Sequence, residues 1–340
     1  MKGFVLAAGF GTRLSPLTQT VPKPMFPVGQ VPLIGYALKL LAYHGITDVV
    51  VNLHHLGNMV RGVLGDGAAY GVQVTYSDEQ PEILDTGGGL KKMASVLDDT
   101  FVAVNSDTIL DIDLHAVIEA HKNAGALATM ILRRDPAQGA YGQIEVDAES
   151  RIRRIVGHAK LGTAPAALTP YMFTGVHILE PRFLDYLPEG PSSVVRAGYM
   201  RALDHGEVLR GFVTDGYWVD AGTPPLYFNA NRELLTGRLR VRSVQGLPQE
   251  RSPGIYVHAS AAVDASAKLI APVAIAANVE VGAGAIVGPN VVLGSGSIVA
   301  AGAFVTSSVI LNDVRVGAER VVEEIVGKKA RIGIYERANS

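Results

Sequence analysis

Residues 5–28 read VLAAGFGTRLSPLTQTVPKPMFPV, and the meaning of this stretch decides the fold. A short apolar run gives way to Gly9-Phe10-Gly11, then Thr12 and Arg13, then Lys23 held between Pro22 and Pro24. Glycines after a first strand let backbone N–H groups close on an anion, so a phosphate site is the first expectation. Three readings compete. A dinucleotide-binding turn needs a third small residue, but Leu14 stands there and Arg13 occupies the start of the pyrophosphate-facing helix. A Walker A loop needs Gly-Lys-Ser/Thr at its end, and the loop has none. A turn that binds nothing leaves unexplained why a guanidinium, a hydroxyl and a proline-flanked lysine share one loop.

Outward from this loop, two different periods organise the chain. In the first two-thirds, FVLAA (residues 4–8), DVVVNL (48–53), VQVTYS (72–77), FVAVN (101–105) and LATMIL (127–132) read as strands. Between them LIGYALKLLAYHG, GNMVRGVLGDG, LKKMASVL and LHAVIEAHKNAG carry apolar residues at three-and-four spacing and read as helices. This alternation predicts an α/β, Rossmann-like, mostly parallel sheet covered on both faces. Ligands of such sheets sit beyond the carboxyl ends of the strands, where the opening loop, the turn after Ser77 and Asn105-Ser106-Asp107 should meet.

From Gly254 the pattern changes. Val257, Val263, Leu269, Ile275, Val281, Val287, Leu293, Val299, Val305 and Leu311 recur at an interval of six, with small or β-branched residues two positions earlier. A hexapeptide period predicts a short left-handed parallel β-helix, and ten repeats at three faces per turn make roughly three coils. The expected organisation is a catalytic domain at 1–238, a linker at 239–253 and the β-helix at 254–340.

At 340 residues the chain is long enough for two domains, and 48% hydrophobic with 18% charged residues suits a packed globular protein. A net charge of −2 argues against nucleic acid or an anionic membrane as partner. The absence of cysteine excludes disulfides, thiolate metal sites and a Cys nucleophile. The apolar N-terminal run is too short for a signal-peptide core and no other run could span a bilayer, so a cytoplasmic protein is expected.

The opening motif L-A-A-G-x-G-T-R-L-x-P-L-T followed by P-K-P resembles that of the sugar-1-phosphate nucleotidyltransferases, also called nucleotide-sugar pyrophosphorylases. The resemblance continues through QPEILDTGGG (80–89), Asn105-Ser106-Asp107, Tyr141-Gly142, Phe173-Thr174-Gly175 and WVDAGTP (218–224), and some members carry a C-terminal hexapeptide β-helix. It implies that a sugar-1-phosphate oxygen attacks the α-phosphorus of a nucleoside triphosphate and pyrophosphate leaves. It assigns Arg13, Lys23 and Asp107 to catalysis, and Ala8, Gly9, Gly11, Thr12, Arg13, Gln80, Glu82, Thr86 and Gly87 to the nucleotide. Lys23, Tyr141, Gly142, Thr174 and Gly175 fall to the sugar phosphate, and Asp107 with Asp220 to Mg²⁺. Lys23, extended by its flanking prolines, would bridge the two phosphates as a point charge.

Two departures stand out. The Glu-Lys-Pro common after the Tyr-Gly strand is missing, with Lys160 or a plain solvated loop in its place, and Ser106 replaces the glycine that often precedes the metal aspartate. Overall resemblance leans toward guanylyl transfer to mannose-1-phosphate. Glu82 is able to accept from guanine, whereas Gln80 suits uracil or thymine, so uridylyl or thymidylyl transfer to another hexose phosphate is the alternative. From other classes, a hexapeptide acyltransferase would need more than His258, the only histidine of the β-helix, and a non-catalytic subunit would not keep Arg13, Lys23, Asp107 and Asp220. A homo-oligomer is expected, organised by the β-helix.

Overall fold

The computed structural model describes residues 1–134, 141–160 and 167–335. The last five residues of the expected C-terminal domain, 336–340, and residues 161–166 beside Lys160 lie outside it. The chain divides into two compact units. One comprises Met1–Gly9, Ala37–Gly57 and Arg61–Trp218, and the other Phe10–Tyr36, Asn58–Val60 and Val219–Ser340.

The first unit is built on a ten-stranded mixed sheet. Strands β1 (Lys2–Leu6), β2 (Asp48–Leu53), β3 (Gln73–Asp78) and β4 (Phe101–Asn105) are parallel in the order β3-β2-β1-β4. Helices α1 (Leu33–Tyr43), α2 (Gly57–Leu64) and α3 (Asp85–Lys92) alternate with them, and α4 (Leu114–Asn123) follows β4. Strand β5 (Ala128–Arg133) precedes β6 (Gln143–Val146) and β7 (Ile152–Ile155). The long strand β8 (Thr169–Leu179) runs antiparallel to β4, β5 and β6, and β9 (Leu209–Val213) pairs parallel with β5. Parallel strands thus carry the expected ligand edge, and antiparallel strands extend the sheet on the other side. Phe4, Val50, Phe101, Ala103, Met130 and Leu179 bury the sheet in one core.

Two element boundaries move for identifiable reasons. The first strand ends at Leu6, because the next N–H, that of Ala7, is taken by the Asn52 side chain at 2.7 Å rather than by a ladder. The helix read over 90–97 instead occupies Asp85–Lys92, starting before the glycine run. A Cβ on Gly87 would lie 2.8 Å from the Ser192 carbonyl oxygen, and one on Gly88 2.2 Å from that of Gly190, so these glycines let the helix press onto residues 190–192.

In the second unit the chain stacks parallel strands on three faces. One face holds Ile255–Val257, Val273–Ile275, Val291–Leu293, Ser308–Ile310 and Glu324–Val326, which is four full turns rather than three. The stack is consistent with the left-handed hand of hexapeptide repeats. Val281, Val287, Leu293, Val299 and Val305 point inward and are buried. The sixfold frame then slips. Leu293 pairs with Ile310, not Leu311, because the turn at Ser307, in the left-handed region at φ 45°, is one residue shorter. Ser308 takes the place opposite Val291, and its buried hydroxyl donates to the Thr306 carbonyl at 2.7 Å. Antiparallel strands Glu250–Ser252 and Arg331–Gly333 close the two ends of this face. Among the described residues no helix is long and apolar enough to cross a membrane.

Candidate active site

The carboxyl ends of β1, β2 and β3 are joined by one buried node. Asn52 accepts from the Ala7 N–H at 2.7 Å and donates to Glu79 Oε1 at 2.7 Å. The other Glu79 oxygen accepts from the Leu84 N–H at 2.8 Å, and its backbone carbonyl accepts from His54 Nδ1 at 2.6 Å. Glu79 is 0% exposed. A Cβ on Gly89 would come within 2.6 Å of Glu79 Oε1, so the helix that follows the turn must pass the carboxylate at a glycine. Neither Asn52 nor Glu79 belongs to the motifs that marked the site. The only sequence signal was a carboxylate directly after a strand.

Around this node the expected nucleotide residues divide. Ala8 is buried and Gly9 is exposed, with nothing within 4 Å of where its Cβ would stand. That open space lies at the carboxyl end of β1, as a backbone cradle for an anion requires. Gln80 and Glu82 are exposed on the turn after β3, where their polar ends reach solvent. Thr86 and Gly87 are committed elsewhere. The Thr86 hydroxyl accepts from the Val194 N–H at 3.0 Å, and the Gly87 N–H donates to the Ser192 carbonyl at 2.6 Å. These two therefore hold the turn in place through bonds to the Val194 N–H and the Ser192 carbonyl.

Asp107, two residues beyond β4, is half-buried, and the Ser106 N–H donates to the Leu6 carbonyl at 3.1 Å. Gly175 adopts φ +88° and passes so close to Asn105 that a Cβ would sit 2.8 Å from its amide nitrogen. Thr174 is buried, its hydroxyl donating to the Ile131 carbonyl at 2.8 Å, while its own carbonyl accepts from Trp218 Nε1 at 2.9 Å. Trp218 meets Tyr141 edge to face at 5.5 Å, and the Arg133 guanidinium lies over the Trp218 ring at 5.7 Å from its centre. Arg133 was missed, because a lone arginine at a strand end carries no motif. Gly142, next to Tyr141, is exposed, and a Cβ there would touch Val156 at 3.0 Å. Lys160 lies beside Gly206, in a cavity of about 180 Å³ shared with Arg151, Arg153 and Glu207.

The second unit arranges the rest of the opening loop. Gly11 has φ +63°, and a Cβ would meet Lys23 Cβ at 2.9 Å and Thr18 at 3.0 Å. The chain crosses Lys23 at a glycine. Lys23 is not extended as expected. It begins a 3₁₀ turn, Lys23–Met25, whose Pro24 tolerates the helical φ, and it is 7% exposed. Thr12 and Arg13 are exposed on the turn Thr12–Leu14, which the buried Leu14 anchors.

Helix α5 (Pro224–Leu235) anchors this loop. The Tyr227 hydroxyl donates to the Pro27 carbonyl, Asn231 accepts from the Gly29 N–H at 2.9 Å, and Tyr227 packs on Phe26 at 5.4 Å. Burial pushes the Tyr227 hydroxyl far above the usual tyrosine range, so it stays a donor. On the far side Leu17 reaches the β-helix, its Cδ2 lying 2.9 Å from where a Gly327 Cβ would stand. Just before α5, Arg13 Nη1 lies 3.9 Å from Asp220 Oδ2, with Arg13 57% and Asp220 13% exposed. A Cβ on Gly222 would collide with both, at 2.4 Å from Arg13 Nη2 and 2.7 Å from Asp220 Oδ1. Glycine at 222 is what admits the pair.

Asp107, just beyond β4, and Asp220, at the end of Trp218–Asp220, each carry hard carboxylate oxygens, the donor chemistry that Mg²⁺ accepts.

The chain matches the Nucleotidyl transferase family over residues 2–237 and the GMPPB C-terminal domain over 269–340. It belongs to the nucleotidyl transferase family. It is 33% identical over 278 residues to the UTP–glucose-1-phosphate uridylyltransferase of Synechocystis sp., covering 78% of this chain and 70% of that protein. With the mannose-1-phosphate guanylyltransferase of Mycobacterium tuberculosis it shares 32% over 263 residues, 76% of this chain and 70% of the relative. The N-acetylmuramate α-1-phosphate uridylyltransferase of Neisseria meningitidis is 35% identical over 229 residues, 66% of this chain and 94% of that protein. Among solved structures, one described as a glucose-1-phosphate thymidylyltransferase from Bacillus anthracis superposes with a TM-score of 0.56 at 25% identity, covering 68% of this chain and 94% of that one.

Proposed function

We propose that this chain transfers a nucleotidyl group from a nucleoside triphosphate to a sugar-1-phosphate. The sugar phosphate oxygen forms a bond to the α-phosphorus, and the bond from that phosphorus to the β-phosphate oxygen breaks to release pyrophosphate. The observation that carries this reading is the opening loop, with Lys23 braced beneath Gly11 and Arg13 beside Asp220 over Gly222. In such a transfer the protein's work is positioning and charge neutralisation. Gly9 admits the triphosphate to the backbone N–H groups at the end of β1. Arg13, planar and exposed, offers a fork of donors to the departing pyrophosphate. Lys23 supplies a point charge between the two reacting phosphates. Asp107 and Asp220 would hold Mg²⁺, which when bound neutralises the phosphate oxygens. Tyr141, Gly142 and Gly175, beside Trp218 and Asn105, line the sugar side, with Thr174 shaping it from below.

For the substrate we favour GTP and mannose-1-phosphate. Support comes from the GMPPB-type C-terminal domain and from the guanylyltransferase relative. Uridylyl transfer is the second reading, favoured by the two uridylyltransferase relatives. Pyrophosphate release should be measured with GTP, UTP and dTTP against a panel of sugar-1-phosphates. A hundredfold preference for UTP or dTTP would overturn the guanylyl reading, and no release with any pair would overturn transfer itself. Excess EDTA should abolish turnover and Mg²⁺ should restore it.

The β-helix is proposed to organise subunits. Its first coil leaves Val263 and Leu269 half-buried and Ile270 exposed. Sedimentation of Ile270→Asp should reveal a smaller species, and an unchanged one would rule out assembly through this coil.

A further inference from the structure

The end of α1 and the start of α4 bring together side chains that nucleotidyl transfer does not use. His44, directly after α1, has a side chain only 4% exposed. Its Nδ1 lies 3.0 Å from the Leu40 carbonyl oxygen. A carbonyl only accepts, so Nδ1 carries the proton and Nε2 presents a lone pair. That lone pair faces the Asp113 carboxylate across 3.9 Å, too far for a hydrogen bond. His115 Nδ1 approaches the same carboxylate oxygen, also at 3.9 Å, and the two imidazoles meet edge to face at 5.1 Å. One ligand atom from each residue falls within 4.8 Å of the others. Two imidazole nitrogens and a carboxylate gathered this closely make a donor set suited to bridging by a cation.

We propose that His44, Asp113 and His115 form a binding site for a transition-metal ion of the zinc class, separate from the catalytic Mg²⁺. The donor set decides the class. Imidazole nitrogens favour zinc and its neighbours, whereas Mg²⁺ prefers oxygen alone. Ligands of a tetrahedral zinc, each about 2.0–2.1 Å from the metal, stand roughly 3.4 Å apart. The observed 3.9 Å separations need only a small inward rotation of Asp113 and His115, whose side chains are 57% and 71% exposed.

Both His44 and Asp113 are already oriented. The Leu40 carbonyl fixes the His44 tautomer, which is the role outer partners play around metal-bound imidazoles. Asp113 caps α4, its Oδ1 accepting from the N–H groups of His115 at 3.0 Å and Ala116 at 3.3 Å. This capping Oδ1 is also the oxygen that both imidazoles approach, so a metal would share it with the helix cap.

The location also separates the two metal sites. Three residues separate His44 from β2, a six-residue strand at whose amino end it lies. Asn52 and the ligand edge belong to the carboxyl end, about 20 Å away at the rise of an extended strand. A metal here would clip α1 to α4.

Full-length protein without a polyhistidine tag should be stripped with chelator and titrated with Zn²⁺ by calorimetry in millimolar Mg²⁺. Co²⁺ then serves as a visible-absorption probe of coordination. A single zinc equivalent should bind, and Co²⁺ should give the intense bands of a tetrahedral site that Zn²⁺ removes. His115→Ala and Asp113→Asn should each weaken binding at least about tenfold, while pyrophosphate release in excess Mg²⁺ stays at the parental rate. Asp113→Asn keeps a capping oxygen, so its fold should survive, and circular dichroism checks this. Failure of the parent protein to bind zinc would overturn the proposal. So would parental affinity in a variant combining His115→Ala with Asp113→Asn, or competition by Mg²⁺ at comparable concentration.

Discussion

The β-helix and the strand-end edge of the sheet hold their shapes by opposite means. In the β-helix each inward residue has the same surroundings as the residue one coil away, as Ile275 has when it pairs with Leu293. Apolar burial repeated in this way is redundant in kind but unforgiving at each site, because a coil interior offers nothing polar to answer a charge. At the strand-end edge nothing repeats. Ala7, Asn52, Glu79 and Leu84 come from separate segments and meet in a single hydrogen-bonded chain. The first region should lose stability when disturbed, and the second should lose alignment and with it turnover.

The sharpest way to break this comparison is Val287→Asp. Val287 is fully buried between Leu269 and Val305 in the stack, so the carboxylate would be unpaired. A loss of about 4 kcal/mol in denaturant unfolding is expected. A variant as stable as the parent would show that the coil interior admits water. Next comes Asp107→Asn, which keeps shape and removes charge. Initial rates of pyrophosphate release should fall at least ~10²-fold, by analogy with losing one oxyanion donor, with the unfolding midpoint unchanged. Undiminished turnover would remove Asp107 from the mechanism.

Glu79→Gln tests whether the node belongs with the site or merely with the core. An amide there turns an NH₂ group toward either Asn52 Nδ2 or the Leu84 N–H, both donors. About 2 kcal/mol of stability should be lost. The KM for the triphosphate should also rise, and a stability loss with unchanged KM would reduce Glu79 to a packing residue.

A pH series sharpens the contrast from within the first unit. His177 is fully buried against Phe173 and Tyr199, its Nδ1 hydrogen-bonded to the Tyr199 hydroxyl at 2.9 Å. Burial pushes its pKa down to about 3 from the ordinary 6.5. Below pH 6.5 the unfolded chain takes up a proton that the folded chain refuses until about pH 3, so stability should fall as pH drops through that window. The slope should reach at most ~1.4 kcal/mol per pH unit, and above pH 6.5 this group contributes none. His177→Gln should flatten that part of the curve, and an unaltered slope would assign it to other groups.

The smallest expected effect is that of Tyr227→Phe. It removes one buried hydroxyl from the Pro27 carbonyl, which retains Asn231 Nδ2 at 3.4 Å as a second donor. A loss of about 1 kcal/mol is expected in thermal or denaturant unfolding. A larger drop in turnover than in stability would show that α5 tunes the opening loop as well as supporting it.

Much of this molecule was legible from the chain alone. The glycine–arginine loop with its Pro-Lys-Pro pointed to the family, strand–helix alternation to the parallel edge, and the interval of six to the β-helix. Such features are local or periodic, and a short window contains all the physics that produces them. Tertiary structure decided the rest. It tied Gly87 to Ser192, coiled Lys23 into a 3₁₀ turn, dropped one residue at Ser307 and placed Arg13 beside Asp220. It also made Glu79 a junction of three strands and set Tyr227 under a loop two hundred residues earlier. The reason is that a buried donor or acceptor must find a partner, and which partner arrives depends on packing between segments far apart in the chain.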